Sequence, residues 1–152
     1  MPRVQRSADV NWSGNVARGT GHITAVSGAF PDLPYTLASR VEAPDGKTSP
    51  EELLAGAHAA CYAMSLAGEL AGAGATPERV DVRSTVTLDE VDGSHRIVGA
   101  ELHARARVEG MDAEAFTRLA HAADEGCPFS ALIKASGTVT LNAEIEGGTG
   151  GD

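Results

Sequence analysis

Residues 52–70, ELLAGAHAACYAMSLAGEL, decide how the rest of the chain is read. The stretch reads as a long, buried helix of small residues with Cys61 near its middle. Its start is marked upstream by SPEELL. Ser49 suits the N-cap, Pro50 suits the first helical position, and Glu52 completes an S-x-x-E capping box. Its end is marked near Ala71, where Gly72, Gly74 and Pro77 break the pattern. His58 lies one turn before Cys61 and Met64 one turn after. Cys61 is therefore either a small core residue or a nucleophile in a dry pocket.

The whole chain sets the frame for that choice. Its 152 residues suit one domain, read as 1–152 with a flexible glycine-rich tail at 147–152. It is 42% hydrophobic but only 4% aromatic, so its core must be built from Ala, Val and Leu packed closely. Net charge is −9, and no basic stripe is present, which argues against nucleic acid and anionic membranes as partners. The start, MPRVQRSADVNWSGNVARG, lacks a continuous apolar segment of the secretory kind, and no run is long enough for a membrane span. A cytoplasmic protein is expected, and there two cysteines are not a standing structural disulfide. No cofactor motif is present, and the usual zinc spacings are missing.

Elsewhere, turn signals bound short strands near 9–17, 20–27 and 34–42. Residues 79–110, RVDVRSTVTLDEVDGSHRIVGAELHARARVEG, predict a hairpin turning at DGS. Val80, Val82, Val86 and Leu88 alternate along one arm. Ala100, Leu102, Ala104, Ala106 and Val108 alternate along the other, opposed by Glu101, His103, Arg105 and Arg107. A helix from about Asp112 ends at Gly126, Pro128 restarts a short helix, and GTVTLNAEIE is a last strand. Three strands, helix, two strands, helix, short helix and strand make an α+β fold with antiparallel sheets.

The candidate chemistry lies in few residues. Cys61 is too deep in its helix for the N-terminal dipole to favour its thiolate, so activation must come from another element, and an arginine would serve. Cys127 precedes Pro128 at a helix start, where backbone N–H groups favour a thiolate. It reads equally as a core residue at a helix junction. His58 and Cys61 form an H-x-x-C pair, but two further metal ligands are lacking locally. Glu51 lies about 15 Å from Cys61 along a straight helix, so a contact between these residue types would cross a subunit interface. Arg18 in NVARGTG and Arg40 in TLASRVE read either as exposed strand-edge charges or as cations for a thiolate.

Taken together, these stretches resemble the OsmC/Ohr family of organic-hydroperoxide reductases, the OsmC branch in particular. SPEELLAGAHAACYAMSLAGEL is similar to the family's N-P-E-E/Q-L…A-A-x-x-A-C-F helix, with Ser49 for Asn and Tyr62 for Phe. EGCPFSALIKASGTVTL is similar to the motif C-P-x-S that holds the second cysteine. ARGTGHI and YTLASRVE resemble its arginine-bearing N-terminal strands.

The resemblance implies an OsmC-like fold, with sheets packed on a long central helix in an intertwined homodimer. It implies a cysteine peroxidase of oxidative and osmotic stress defence, in which Cys61 is peroxidatic and Cys127 resolves its sulfenic acid as a disulfide. An external thiol or dithiol would restore the pair. Arg40 and Glu51 fall on the activating arginine and the glutamate that orients it, with Arg18 the other candidate arginine. Leu53, Met64, Phe116 and Phe129 are then candidates to line an apolar peroxide pocket. The reading from a different class is a non-catalytic module binding a small molecule or lipid on the same scaffold.

Overall fold

The computed structural model describes residues 3–146; the tail expected at 147–152 lies outside them. The chain divides between Leu53 and Leu54 into two compact units.

The first unit is an antiparallel sheet ordered β1-β2-β3, with β1 at Ala8–Ser13, β2 at Thr20–Ala25 and β3 at Leu33–Tyr35. It has little core. Every residue of β1 is exposed, and Ile23 is the one large apolar residue fully buried among the described residues of this unit. The ring of Trp12 meets that of Tyr35 with centroids 5.5 Å apart, tilted by 53°. Gly21 lets the rings approach: a Cβ there would lie 2.8 Å from Trp12 Cε3 and collide with the Tyr35 ring.

The strand expected over 34–42 is mostly not a strand. After β3 the chain turns into a short helix, α1, at Leu37–Val41, which carries Arg40. Thr36 caps it: its hydroxyl accepts the Ser39 N–H at 3.0 Å, and Ser39 Oγ accepts the Thr36 N–H at 2.9 Å. This reciprocal cap fixes a helical turn that the apolar spacing of Tyr35 and Leu37 disguises as strand. Arg18 is likewise off the strands, in the turn after β1, where its own N–H donates to Asn15 Oδ1 at 2.9 Å.

Helix α2 runs from Pro50 to Gly72, close to the predicted limits. Ser49 caps as expected, its Oγ accepting the Glu52 N–H at 3.1 Å. The Glu52 carboxylate takes the Thr48 hydroxyl at 2.8 Å, so Thr48 supplies the donor for the other arm of the expected box.

The second unit packs the rest of α2 on a three-stranded sheet, ordered β4-β5-β6. Strands β4 (Arg79–Val91) and β5 (Ser94–Arg107) form the predicted hairpin, turning at Asp92 and Gly93, both with positive φ. Helices α3 (Ala113–Glu125) and α4 (Pro128–Lys134) follow. They carry the chain back to β6 (Thr138–Glu146), which pairs with β5 in parallel. The sheet is thus mixed, where the sequence suggested antiparallel pairing throughout: a crossover through two helices returns the chain in its original direction. Gly99 lets β6 begin close to β5, since a Cβ there would stand 2.6 Å from the Thr138 carbonyl oxygen.

The alternation read from β5 holds. Leu102, Ala104, Ala106 and Val108 are buried, and they pack with Tyr62, Leu66 and Leu70 of α2 and Phe116, Ala120 and Ala123 of α3. The Tyr62 hydroxyl donates to the Ala120 carbonyl at 3.0 Å, which ties α2 to α3. Burial, and to a lesser extent the neighbours Asp124 and Cys127, raise the Tyr62 phenol well above its ordinary value, so it stays a donor. Along the uncovered side of α2, Gly56, Ala60, Met64 and Gly68 are exposed at every fourth position.

Candidate active site

In the second unit the two cysteines lie side by side. Cys61 is half-buried on α2, and Cys127 is 1% exposed at the N-cap of α4. Both sulfurs lie beside the first turn of α4. The Ser130 N–H donates to Cys127 Sγ at 3.5 Å, and Cys127 and the Phe129 N–H are the near neighbours that act on the Cys61 thiol. Burial pushes the Cys61 thiol up, the neighbouring Cys127 pushes it further, and the Phe129 N–H opposes them. The sulfur at rest is therefore held toward its protonated form. The expectation that Cys61 cannot be activated by its own helix agrees with this direction.

Behind the cysteines is a buried polar bridge. His58, fully buried on α2, places Nδ1 2.8 Å from Ser84 Oγ on β4 and Nε2 2.8 Å from Ser130 Oγ on α4. Both ring nitrogens are engaged, so the H-x-x-C spacing serves packing and hydrogen bonding rather than a metal. Burial lowers the His58 pKa, against Asp124, which raises it, and with Lys134, which lowers it further; the ring is neutral. Asp124 at the end of α3 accepts from Lys134 Nζ at 2.7 Å.

In the first unit Arg40 and Glu51 form the other candidate pair. Arg40 Nε donates to Glu51 Oε1 at 3.0 Å, and Nη2 donates to the same oxygen at 2.7 Å. Two parallel donors from a planar fork fix the guanidinium in direction as well as place. The hydrogen bonding to Glu51 raises the Arg40 pKa, burial opposing it, so its charge is permanent. The carboxylate and guanidinium expected to work together thus meet within one chain.

Beside Arg40 is a hollow of about 310 Å³, lined by Trp12, Val16, Tyr35, Thr36, Leu37 and Pro50 as well as the arginine. The apolar lining expected at Met64 and Phe116 takes other roles. Met64 is 78% exposed, and Phe116, 1% exposed, is core between α2, α3 and β5. A helical face shows from sequence which residues are apolar, but not which neighbour covers them.

Residues 43–142 match the family described as OsmC-like protein. Over 143 residues the chain is 36% identical to Peroxiredoxin OsmC of Escherichia coli (strain K12), covering 94% of this chain and 98% of that protein.

The chain belongs to the OsmC family.

Peroxiredoxin OsmC of Shigella flexneri matches to the same extent, 36% over 143 residues. Among solved structures, the organic hydroperoxide resistance protein OhrB of Bacillus subtilis superposes with a TM-score of 0.64 at 27% identity, over 92% of this chain and 98% of that one. An OsmC-like protein of unknown function from Vibrio cholerae reaches 0.74 over 93% and 99%; at 15% identity it speaks for the fold alone.

In this OsmC-family chain the four residues expected at the site form two pairs, Cys61 with Cys127 and Arg40 with Glu51. Sequence reasoning missed Trp12, Tyr35, Ser84 and Ser130 as their neighbours. Only Ser130 left a trace, as the serine of C-P-x-S. No described helix is long and apolar enough to cross a membrane.

Proposed function

We propose that the chain reduces organic hydroperoxides to alcohols through a sulfenic acid on Cys61 that Cys127 resolves. Family membership, and near-full-length identity to a peroxiredoxin, make it an oxidoreductase of the peroxidase kind. The finer mechanism rests chiefly on one observation: two free thiols close enough to act on each other, beside the first turn of one helix.

The Cys61 thiolate attacks the terminal oxygen of ROOH. The O–O bond breaks, RO⁻ leaves and takes a proton as ROH, and Cys61 becomes a sulfenic acid. The Cys127 sulfur then attacks the Cys61 sulfur. A disulfide forms, and the hydroxyl leaves as water with the thiol proton. An external thiol or dithiol returns both cysteines to the reduced state. Because burial raises Cys61, the thiolate needs a cation. Arg40, aimed by Glu51, is the proposed source, and its guanidinium also suits the departing alkoxide. The hollow lined by Trp12, Tyr35 and Leu37 beside that guanidinium would take the organic group.

The working form is read as a homodimer of single OsmC-like domains in the cytoplasm, serving oxidative and osmotic stress defence. The family match crosses the boundary between the two units, which supports the single domain. Exposed Val10, Trp12 and Val16, and the exposed Met64 among small residues of α2, support a second copy covering them. The aromatic hollow also fits the reading of a binding module whose thiols are idle. Consumption of cumene hydroperoxide with a dithiol decides between them. The Cys61→Ser variant is expected to lose on the order of 10³-fold or more, and activity undiminished in the variant would sink the peroxidase mechanism.

A further inference from the structure

We infer that His58 is a positioning residue for the resolution step: it holds the first turn of α4, through the Ser130 hydroxyl, so that the Cys127 sulfur stays aligned on Cys61. This rests on the thiol mechanism proposed above.

A histidine is an expensive choice at this point of α2. His58 is fully buried, and the same helix fills its other buried positions with Tyr62, Leu66 and Leu70. A polar ring there costs free energy unless its nitrogens are hydrogen-bonded. Both are, and the partners come from two different elements: Ser84 on β4 and Ser130 on α4, each at 2.8 Å. Packing alone would be met by a leucine. The ring does what a leucine cannot, fixing a point on α4 to the helix that carries Cys61.

That point matters because of what else Ser130 does. Its N–H donates to Cys127 Sγ at 3.5 Å, and the neighbouring Phe129 N–H is near enough to Cys61 to favour its thiolate slightly. The same turn of backbone therefore touches both sulfurs, and its own anchorage is the hydroxyl seated on His58 Nε2. Ser84 fixes the other side of the ring, so the ring cannot swing with α4. His58 is also one turn before Cys61, on the same face of α2. Sheet, peroxidatic helix and resolving helix are joined at one imidazole.

The resolution step is where such alignment counts. Cys127 must approach the Cys61 sulfur from opposite its hydroxyl; the S–O bond breaks as the S–S bond forms, and water leaves. Attack on peroxide needs only the Cys61 sulfur, on which the Phe129 N–H is the smallest influence, whereas resolution needs both sulfurs aligned, so the second step should respond far more than the first. A displacement of about 1 Å can cost up to about 100-fold in a step that depends on approach geometry.

The test is rapid-quench mass analysis after one equivalent of cumene hydroperoxide, following Cys61 sulfenic acid, trapped with dimedone, and the disulfide separately. Wild type is compared with His58→Leu, His58→Gln and Ser130→Ala, with melting temperature measured for each. In Ser130→Ala and His58→Leu, sulfenic acid should form within about threefold of the wild-type rate while the disulfide forms at least about tenfold more slowly. His58→Gln, which can still reach the Ser130 hydroxyl, should recover part of that rate. The double variant should be no slower than the slower single one, since both remove the same link. Disulfide formation at the wild-type rate in Ser130→Ala, or equal slowing of both steps, overturns the inference; Ser130→Ala removes only one oxygen and decides even if His58→Leu fails to fold. Wild type that forms sulfenic acid but never the disulfide overturns the resolving role of Cys127, and this inference with it. Wild type that consumes no peroxide overturns the proposed function itself.

Discussion

The two units of this chain solve the problem of stability in opposite ways. The second closes a continuous core over β5, with Tyr62, Leu66, Leu102, Ala106, Phe116 and Ala120 all at 1% exposure or less. Among its described residues the first buries one large apolar side chain, Ile23, and leaves Val10, Trp12 and Val16 open. Yet the permanent cation is in the first and the sulfurs are in the second. The unit with the core holds the two thiols; the unit without one holds the Arg40–Glu51 pair, exposed aromatic surface and a short capped helix. Val10, Trp12 and Val16 are the residues of the first unit that the proposed second copy would cover.

That contrast is open to direct attack. The largest stability effect belongs to the second unit. Leu102→Ala should destabilise by about 2–5 kcal/mol, from lost burial plus the cavity left behind. Val10→Ala, on the fully exposed β1, should cost less than about 0.5 kcal/mol in dilute solution. Urea titration checks both, and equal losses would break the contrast.

Next comes the charge. Arg40→Ala should slow peroxide reduction by about 100-fold, as for loss of one preorganised charged donor. Without the cation the Cys61 thiolate is less favoured, so the midpoint of its alkylation with pH should move to higher pH. An unmoved profile transfers the role to Arg18.

A smaller effect distinguishes the buried bridge. Burial holds the His58 pKa below its ordinary value of 6.5. As pH falls below that value the unfolded chain takes up the proton first, so stability declines toward acid, whereas above it the group contributes no slope. In His58→Gln that part of the acid-side decline should vanish. Of the charged groups acting on the ring, Asp124 reduces the shift and Lys134 adds to it, but burial outweighs both. A wild-type slope in the variant would place the titration elsewhere.

Most of the second unit was legible in the sequence, because periodicity there is unambiguous. The alternation of Leu102, Ala104 and Ala106 against Glu101, His103 and Arg105 allows one register and one buried face. The break at Gly126–Pro128 placed Cys127 at a helix start. The direction of β6 was not legible, since strand alternation is the same in parallel and antiparallel pairs. In the first unit, the helix at Leu37–Val41 was hidden because a Thr36–Ser39 cap over five residues is weaker in sequence than the apolar spacing around it. Of the candidate site, the family motifs pointed to Cys61, Cys127, Arg40 and Glu51, which the structure brings together as two pairs. The Arg40–Glu51 bond was foreseen as a role, while its formation inside one chain is a matter of how α1 folds back on the start of α2. Ser84 and Ser130 were out of reach: a serine hydroxyl has meaning only beside its partner, and these two are brought to His58 from far along the chain.

The central claim is that Cys61 and Cys127 act as one redox pair. Intact-mass measurement after one equivalent of organic hydroperoxide, with no reductant present, tests it most directly. The predicted result is loss of two hydrogens in wild type, and in Cys127→Ser a Cys61 sulfenic acid that dimedone traps. A wild-type mass that stays unchanged, with both thiols still open to alkylation, would contradict it.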